Sequence, residues 1–322
     1  MHRRTLVALA GALGLVSLFA HAQASDPSKP VKFIVPYAAG GLPDTVARIV
    51  AQRLGDRIGQ PVIVDNKPGG NGVVAYNALL QSNPSDGHAF IVSDGSMLSI
   101  TPLITKVSYV YGKDILPVSL IARSPLFLVA HPKTGVNTFQ EFITLVKSKP
   151  GQFTYGSSGI GSTHHLTMEA LKAALNLDVR HIPFKGSGQS TPALVGGQVD
   201  FSVSALPSIS GFVQNGQVKL LASNAAARSP QAPDVPTIAE TVPGFDFSVA
   251  IGALAAAGTP QSAIDRISRE IAEVVKLPEV VKLLHTQVID PIGSTPAEYG
   301  KAILRENEAM GKAGRAANLK AE

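Results

Sequence analysis

Short runs of β-branched and other apolar residues alternate with longer amphipathic segments, and this alternation restricts the fold more than any other feature of the chain. The apolar run at 31–35 is followed by residues 44–58, in which apolar side chains recur at helical spacing. Similar short runs at 62–64 and 89–92 flank a second helical segment at 73–80. The βαβαβ order predicts a parallel sheet with helices on both of its faces.

A second set of alternating elements begins at the apolar run 126–130. Further strands are predicted at 153–155, 179–182, 201–203 and 218–222, with helices at 162–175, at 188–194 and from Pro207. Residues 224–243 are rich in Ala, Pro and Ser and predict a long connection, after which the apolar run 247–254 returns the chain to the first unit. Helices are predicted to complete the chain at 261–276, at 279–284 and from Thr295.

The predicted fold class is therefore α/β, a clamshell of two doubly wound lobes joined by two crossovers. Lobe 1 is expected to comprise residues 25–126 plus 248–322, and lobe 2 residues 127–247. In doubly wound sheets ligands bind at the carboxyl ends of the strands. The binding site is therefore expected in the cleft between the lobes, where hinge closure buries the ligand.

The N-terminus has the three parts of a secretory signal peptide: Arg3 and Arg4, an apolar run over 6–20, and the small-residue pattern Ala22-Gln23-Ala24. The apolar run is shorter than the roughly 20 residues that a membrane-spanning helix needs. We predict a signal peptide at 1–24, cleaved after Ala24, and a periplasmic mature protein. A retained N-terminal anchor and export by the twin-arginine route are the alternatives.

Composition removes several classes of protein. The absence of cysteine excludes thiol catalysis, thiolate zinc sites and iron–sulfur clusters. Without Arg3 and Arg4 the net charge falls from +5 to +3, and no Lys/Arg cluster is interleaved with aromatic residues, which argues against a nucleic-acid partner. We expect a monomer without a cofactor.

The loop from Pro36 to Asp44 follows the first predicted strand and leads into a helix. Its small residues let the backbone approach a ligand, and the free N–H groups at a helix start favour negative charge. A carboxylate can therefore be held there without an Arg or Lys side chain. The alternative is a tight turn whose glycines serve geometry only.

Three further loops have a similar position after a strand. The loop at 155–165 belongs to the other lobe and offers hydroxyl groups as well as backbone N–H groups. The loop at 183–188 contributes Lys185, whose positive charge would aid capture of an anion. The fourth candidate begins at Ser93, at the end of the third strand. One loop from each lobe is expected to hold a single ligand.

Eight segments occur in a fixed order along the chain: VPYAAGGLPDTVARIVAQRL (35–54), VIVDNKPGGNG (62–72), PSDGH (84–88), YGSSGIGSTHHL (155–166), HIPFKGSG (181–188), LVGGQVDF (194–201), ARSPQAPDVPTIAE (227–240) and AAAGTP (255–260). In this order they resemble the Bug family of periplasmic receptors for tripartite tricarboxylate transporters. The resemblance covers nearly all of the mature chain and implies a type II periplasmic-binding-protein fold.

The resemblance also implies a ligand site. A ligand carboxylate would be held by the backbone N–H groups of one run of residues in the first loop: Tyr37, Ala38, Ala39, Gly40 and Gly41. A second set would anchor it from the other lobe: Ser158, Gly161, Ser162 and Thr163. Asp44 matches the acidic residue after the double glycine in the family, and it would meet an amino or hydroxyl group of the ligand.

Two departures from the family pattern bear on ligand identity. Leu42-Pro43 stands where the family has a Pro-Thr pair, and a tryptophan common near the return crossover is absent. The implied function is capture of a small carboxylate and its delivery to the membrane subunits of a transporter. The alternative is a sensing receptor whose loaded form docks on a signalling partner.

Enzymatic and metal-binding functions have weak support. Ser158 is not in a G-x-S-x-G motif, so the chain has no nucleophile elbow there. His165 and Glu169 lie one helical turn apart but form only a two-residue set, which is more typical of a local surface contact than of a metal site. The run Gly70 to Ala75 fits a dinucleotide-binding pattern with Asp94 downstream, but it follows the second strand instead of the first.

Overall fold

The computed structural model describes residues 29–316, so the predicted signal peptide lies outside the described residues. The strands are β1 (Val31–Val35), β2 (Val62–Asn66), β3 (Ala89–Asp94), β4 (Ile115–Ser124), β5 (Phe127–Ala130), β6 (Thr154–Ser157), β7 (Arg180–Pro183), β8 (Phe201–Ser204), β9 (Lys219–Ser223), β10 (Val249–Ala256) and β11 (Asp290–Pro291). They form two mixed sheets in the described chain, with orders β11-β4-β10-β3-β1-β2 and β7-β6-β8-β5-β9.

Helices cover these sheets and connect their strands. They are α1 (Leu42–Ile58), α2 (Val73–Gln81), α3 (Ser96–Ser99), α4 (Thr101–Ile104), α5 (Phe139–Ser148), α6 (Thr163–Leu175), α7 (Ser187–Val195), α8 (Leu206–Gln214), α9 (Gln261–Val274), α10 (Pro278–His285) and α11 (Pro296–Ala316). Between residues 29 and 316 none of them combines the length and apolar character needed to cross a membrane.

The first sheet contains the predicted βαβαβ unit. β1 lies between β2 and β3 and pairs with both in parallel, which confirms the order expected from the N-terminal alternation. β10 then lies antiparallel between β3 and β4, so the chain returns to this sheet as predicted. The ten-residue strand β4 was not predicted. Pro117 and Ser119 interrupt its apolar pattern, and the β4–β10 pairing has two register shifts.

The second sheet repeats this arrangement. β6 lies between β7 and β8 and pairs with both in parallel, whereas β5 pairs antiparallel with β8 and β9. The structure therefore has the predicted two-lobed α/β fold, with mixed instead of wholly parallel sheets. All strands of the second sheet fall within 127–223. The lobe bounds given above stay a prediction.

Helix α1 fixes the loop that precedes it. Its apolar face, formed by Val46, Val50 and Leu54, is fully buried in the core of the first lobe. The helix begins after Gly41 with a proline in its first turn, and it ends at Gly59, which is left-handed at φ 68° and donates its N–H to the carbonyl of Gly55. The helix start is thereby held against the carboxyl end of β1.

Asn224 joins the two crossovers between the lobes. It is completely buried. Its Oδ1 accepts a hydrogen bond from the backbone N–H of Leu126 on the first crossover, at 2.7 Å. Its Nδ2 donates to the carbonyl of Phe247 on the second crossover, at 2.6 Å, and lies 3.3 Å from Thr167 Oγ1 of α6. A single amide side chain therefore couples both connections of the hinge to lobe 2.

The lobes also touch each other on both sides of the cleft. Ile100 and Ile104 of the first lobe form an apolar cluster with Leu166 of α6 and Met310 of α11. On the other side, Ser208 Oγ donates a hydrogen bond to the carbonyl of Gly40, at 3.1 Å. The two lobes are therefore in direct contact with each other in this structure.

We expect Asn224→Ala to destabilise the protein by about 2–4 kcal/mol, because it leaves the buried N–H of Leu126 and the partly buried carbonyl of Phe247 without these partners, at an estimated cost of about 1–3 kcal/mol each. Urea unfolding of the ligand-free protein measures this loss. Asn215→Ala, at the exposed end of α8, is the matched control and should change stability by less than about 0.5 kcal/mol. Equal effects of the two substitutions would contradict the role of Asn224.

Candidate functional site

A cavity of about 590 Å³ lies between the two lobes. Its walls come from four loops, each of which follows the carboxyl end of a strand that has a parallel neighbour: β1, β2, β6 and β7. The lining residues are Pro36, Tyr37, Ala38, Pro68, Gly69, Gly70, Ser158, Gly159, Ile160, Phe184, Lys185, Gly186 and Gln189. A smaller pocket of about 20 Å³ adjoins Tyr37 and Ala38 and extends to Asp94 and His164.

Four of the residues predicted from the sequence line the larger cavity: Tyr37, Ala38, Ser158 and Lys185. Gly41 lines the smaller pocket together with Tyr37, Ala38 and Ser158. The other predicted residues do not line the larger cavity, and they are Ala39, Gly40, Asp44, Ser93, Gly161, Ser162 and Thr163. Ser93 is completely buried at the end of β3. The ligand contacts expected of all these residues stay predictions.

The carboxylate of Asp44 holds the loop after β1 in shape. Asp44 is only 3% exposed, and its Oδ2 accepts the backbone N–H of Gly40, which has φ 84°. Arg48 Nε donates to both carboxylate oxygens, and Asn66 Nδ2 donates to Oδ1 as well as to the carbonyl of Tyr37. Burial opposes the charge, but the hydrogen bonds from Arg48, Gly40 and Asn66 lower the pKa of Asp44. In this structure Asp44 therefore faces its own loop, and Gly40 donates its N–H to Asp44.

Tyr37 lines the cavity, but its hydroxyl group points into the first lobe. The hydroxyl donates to Asp94 Oδ1 at 2.7 Å and lies 2.9 Å from Ser96 Oγ. Burial, and then the charge of Asp94, raises the pKa of Tyr37 well above its usual value. The same Asp94 oxygen accepts the N–H and the hydroxyl of Ser96. This network orients the loop backbone at Tyr37 and Ala38.

A second carboxyl group lies behind Asp94. Burial, and then the charge of Asp94, raises the pKa of Glu306 of α11 to about 8, although Arg123 acts in the opposite direction. Glu306 is therefore largely protonated at neutral pH, and it packs against the backbone of Gly95. Thr163 Oγ1, from the other lobe, approaches Asp94 Oδ2 to 3.5 Å. Glu306 therefore adds little negative charge beside Asp94 at neutral pH.

Three histidines hold the loop after β6. His181 Nε2 lies 2.7 Å from Ser157 Oγ, His164 Nδ1 lies 2.8 Å from Ser158 Oγ, and His165 Nδ1 accepts the N–H of Gly161. The rings of His165 and His181 are stacked with their centroids 4.1 Å apart. The loop also contains Ser162, whose side chain caps α6 by accepting the N–H of His165.

These imidazole rings are neutral because they are buried. Burial, followed by the neighbouring His165 and Lys172, lowers the pKa of His181 to about 3. Burial lowers the pKa of His164 to about 4 despite the opposing charge of Asp94, and it also lowers the pKa of His165. A neutral His165 keeps the lone pair on Nδ1 that accepts the Gly161 N–H. Sequence reasoning considered His165 only as a possible metal ligand with Glu169 and missed this role.

The part of the chain that the structure describes has no candidate metal-binding cluster at the cavity. Between residues 29 and 316, no three His, Asp or Glu residues are arranged so that they could hold a metal ion. The glycines at 70–72 form a short 3-10 turn before α2, and Gly70 lines the cavity. The site is a cleft lined by backbone, by apolar side chains, by the polar side chains of Tyr37, Ser158 and Gln189, and by the cationic side chain of Lys185.

Comparison with known proteins identifies the family. The model of the tripartite tricarboxylate transporter family receptor, TctC, matches residues 46–319. The chain therefore belongs to this family of solute-binding receptors and is not an enzyme, which confirms the resemblance to the Bug proteins. Receptors of this family are periplasmic binding proteins. Cleavage after Ala24 stays a prediction.

Three similar proteins illustrate the match. Protein BugT of Bordetella pertussis is 32% identical over 84% of this chain and 83% of its own length. The structure of R. palustris Rpa4515 with adipate has a TM-score of 0.88 and 28% identity, and it covers 92% of this chain and 99% of that one. MatC of Rhodopseudomonas palustris with bound malate has a TM-score of 0.82 and 28% identity, with 89% and 99% covered.

The lowered pKa of His181 makes stability depend on pH with a definite sign. Because the folded-state pKa of about 3 lies below the ordinary value of 6.5, only the unfolded chain takes up the proton as the pH falls from about 6.5 toward 3. The stability conferred by neutral His181 is therefore present above pH 6.5 and is lost as the solution is acidified. We expect the melting-temperature difference between wild type and His181→Gln to shrink over this range.

Thermal unfolding between pH 4 and 8 measures the difference. Subtracting the two curves cancels the contribution of Glu306, whose raised pKa has the opposite sign and makes stability fall as the pH rises toward 8. His285→Gln, at a side chain 40% exposed on α10, controls for removal of one histidine. A difference between wild type and His181→Gln that stays constant with pH would rule out this role for His181.

Proposed function

We propose that this protein captures a small carboxylate in the interlobe cleft and delivers it to the membrane subunits of a tripartite tricarboxylate-type transporter. The observation that carries the proposal is a pair of backbone donors. In the described part of the chain, the N–H groups of Ala38 and Ser158 have no hydrogen-bond partner, and both residues line the cavity. They come from opposite lobes, so one anion can join both.

The chemistry of these donors favours a carboxylate. A carboxylate accepts several hydrogen bonds at once, and bonds from N–H groups to a charged acceptor are stronger than those between neutral groups. Lys185 adds a positive charge at the cavity wall. Similar proteins bind adipate and malate, which supports the same class of ligand for this chain.

Closure of the lobes is part of the proposed mechanism. A methyl group placed at Gly186 or Gly188 would lie about 3.6 and 3.5 Å from the Cβ of Ala38, so the two loops meet at close range. Closing the lobes expels water from around the anion and strengthens its hydrogen bonds. The same closed surface would then be presented to the transporter subunits.

We expect Ala38→Leu to weaken binding of a carboxylate at least 100-fold, because the larger side chain enters the cavity and keeps the lobes from meeting at Gly186 and Gly188. Calorimetry with adipate and malate on the mature chain from Ser25 measures this change. Ala227→Leu, on the exposed long connection, is the matched control and should bind as wild type does. Unchanged affinity in Ala38→Leu would place the ligand elsewhere.

Delivery is tested separately from binding. Cells that lack this protein should lose uptake of a radiolabelled carboxylate that the purified protein binds, and expression of the wild type should restore it. Expression of Ala38→Leu should not restore uptake. Full uptake in the absence of the protein, together with tight binding in vitro, would favour a sensing receptor.

A further inference from the structure

The walls of the cavity are apolar on both sides. Pro36 and Pro68 contribute from the first lobe, and Ile160 and Phe184 contribute from the second. Ile160 is 36% exposed, although large apolar side chains of this kind are usually buried. An exposed apolar side chain on the wall of a cleft is covered when a ligand presents its own apolar surface to it.

The polar side chains of the lining offer free donors, whereas each of their oxygen atoms already has a hydrogen-bond partner. Gln189 Oε1 accepts the backbone N–H of Lys185, and Ser158 Oγ pairs with His164 Nδ1. The Tyr37 hydroxyl is bound to Asp94. The ammonium of Lys185 and the amide NH₂ of Gln189 have no partner among residues 29–316, and they can only donate.

The carboxylates near the cleft do not change this balance. Asp44 is surrounded by donors from its own loop and does not line the cavity. Asp94 is behind Tyr37, in a pocket of about 20 Å³, and a space of that size holds about one water molecule. A ligand hydroxyl or ammonium group in the large cavity would therefore meet no free acidic side chain.

The size of the cavity also exceeds what a very small acid needs. Its volume of about 590 Å³ lies within the range of about 300–1,000 Å³ typical of pockets that enclose drug-sized ligands. A dicarboxylate with a four-carbon chain, its carboxyl carbons included, would leave much of the apolar wall in contact with water. A longer or aromatic body would cover it.

We propose that the cleft selects an unsubstituted dicarboxylate with a chain of six or more carbons, the two carboxyl carbons included, over hydroxy- or amino-substituted acids of the same length, an inference that rests on the proposed carboxylate-binding function. One carboxylate joins the N–H groups of Ala38 and Ser158, and the other meets Lys185 and Gln189. The apolar body covers Ile160 and Phe184. Burying a ligand hydroxyl or ammonium without an acceptor costs free energy, so such ligands bind less tightly.

Calorimetry with matched ligands tests this selectivity. Adipate and galactarate have the same six-carbon chain and two carboxylates, and only galactarate carries hydroxyl groups. Adipate is expected to bind at least 100-fold more tightly than galactarate, and more tightly than 2-aminoadipate. Terephthalate, in the same panel, shows whether an aromatic or an aliphatic body is preferred.

Two variants examine the residues assigned here. Lys185→Met should weaken the binding of adipate at least tenfold. It should change the affinity for hexanoate, which lacks the second carboxylate, by less than threefold. Ile160→Asn should weaken the binding of adipate and reduce the ratio of the affinities for adipate and galactarate at least tenfold. Lys219→Met and Leu304→Asn, both at exposed positions, are the matched controls and should preserve the wild-type ratio.

The outcomes separate the two proposals. If galactarate or 2-aminoadipate binds as tightly as adipate, the inference is wrong and the carboxylate-binding function stands. If none of these acids binds, the proposed function itself fails. If Lys185→Met loses affinity for adipate and for hexanoate to the same extent, Lys185 does not hold the second carboxylate.

Discussion

The geometry of the site depends on the hydrogen bonds by which Asn224 ties together the two crossovers. The cavity exists only because the carboxyl ends of strands in separate sheets face each other, and just two chain segments connect those sheets. Asn224 bonds to Leu126 on one segment and to Phe247 on the other. Because one buried residue holds both segments through its side chain and its backbone, it fixes the spacing of the two connections and with it the placement of lobe 2 against lobe 1.

The two loops that face each other across the cleft are held by different means. The loop after β1 is organised by a charged carboxylate, Asp44, which gathers donors from Gly40, Arg48 and Asn66. The loop after β6 is organised by neutral imidazoles, including His165 and His181. In both cases side chains of other residues hold the loop, and the backbone N–H groups of Ala38 and Ser158 at the cavity wall are left without partners in the described chain. Recognition by backbone is thus possible because side chains elsewhere satisfy the rest of each loop.

Much of this organisation follows from sequence periodicity, and some of it does not. β1, β6 and the strands that pair with them in parallel could be predicted because their apolar runs are short and bounded by turns. The position of the site follows from the carboxyl ends of these strands. β4 was missed because Pro117 breaks its pattern. Asp44 is turned toward its own loop partly by a hydrogen bond from Asn66, and the ring of His165 stacks on that of His181. Both are contacts between residues distant in sequence, which no local sequence pattern predicts.

The contact between Ser208 and Gly40 has a consequence for how affinity and selectivity are divided. Ser208 Oγ donates to the carbonyl of Gly40 across the cleft and does not line the cavity, so this bond stabilises the closed lobes whatever the ligand is. A change at Ser208 would scale the affinity for every ligand by the same factor. Evolution of this protein can therefore adjust how tightly it holds its cargo without altering which cargo it prefers.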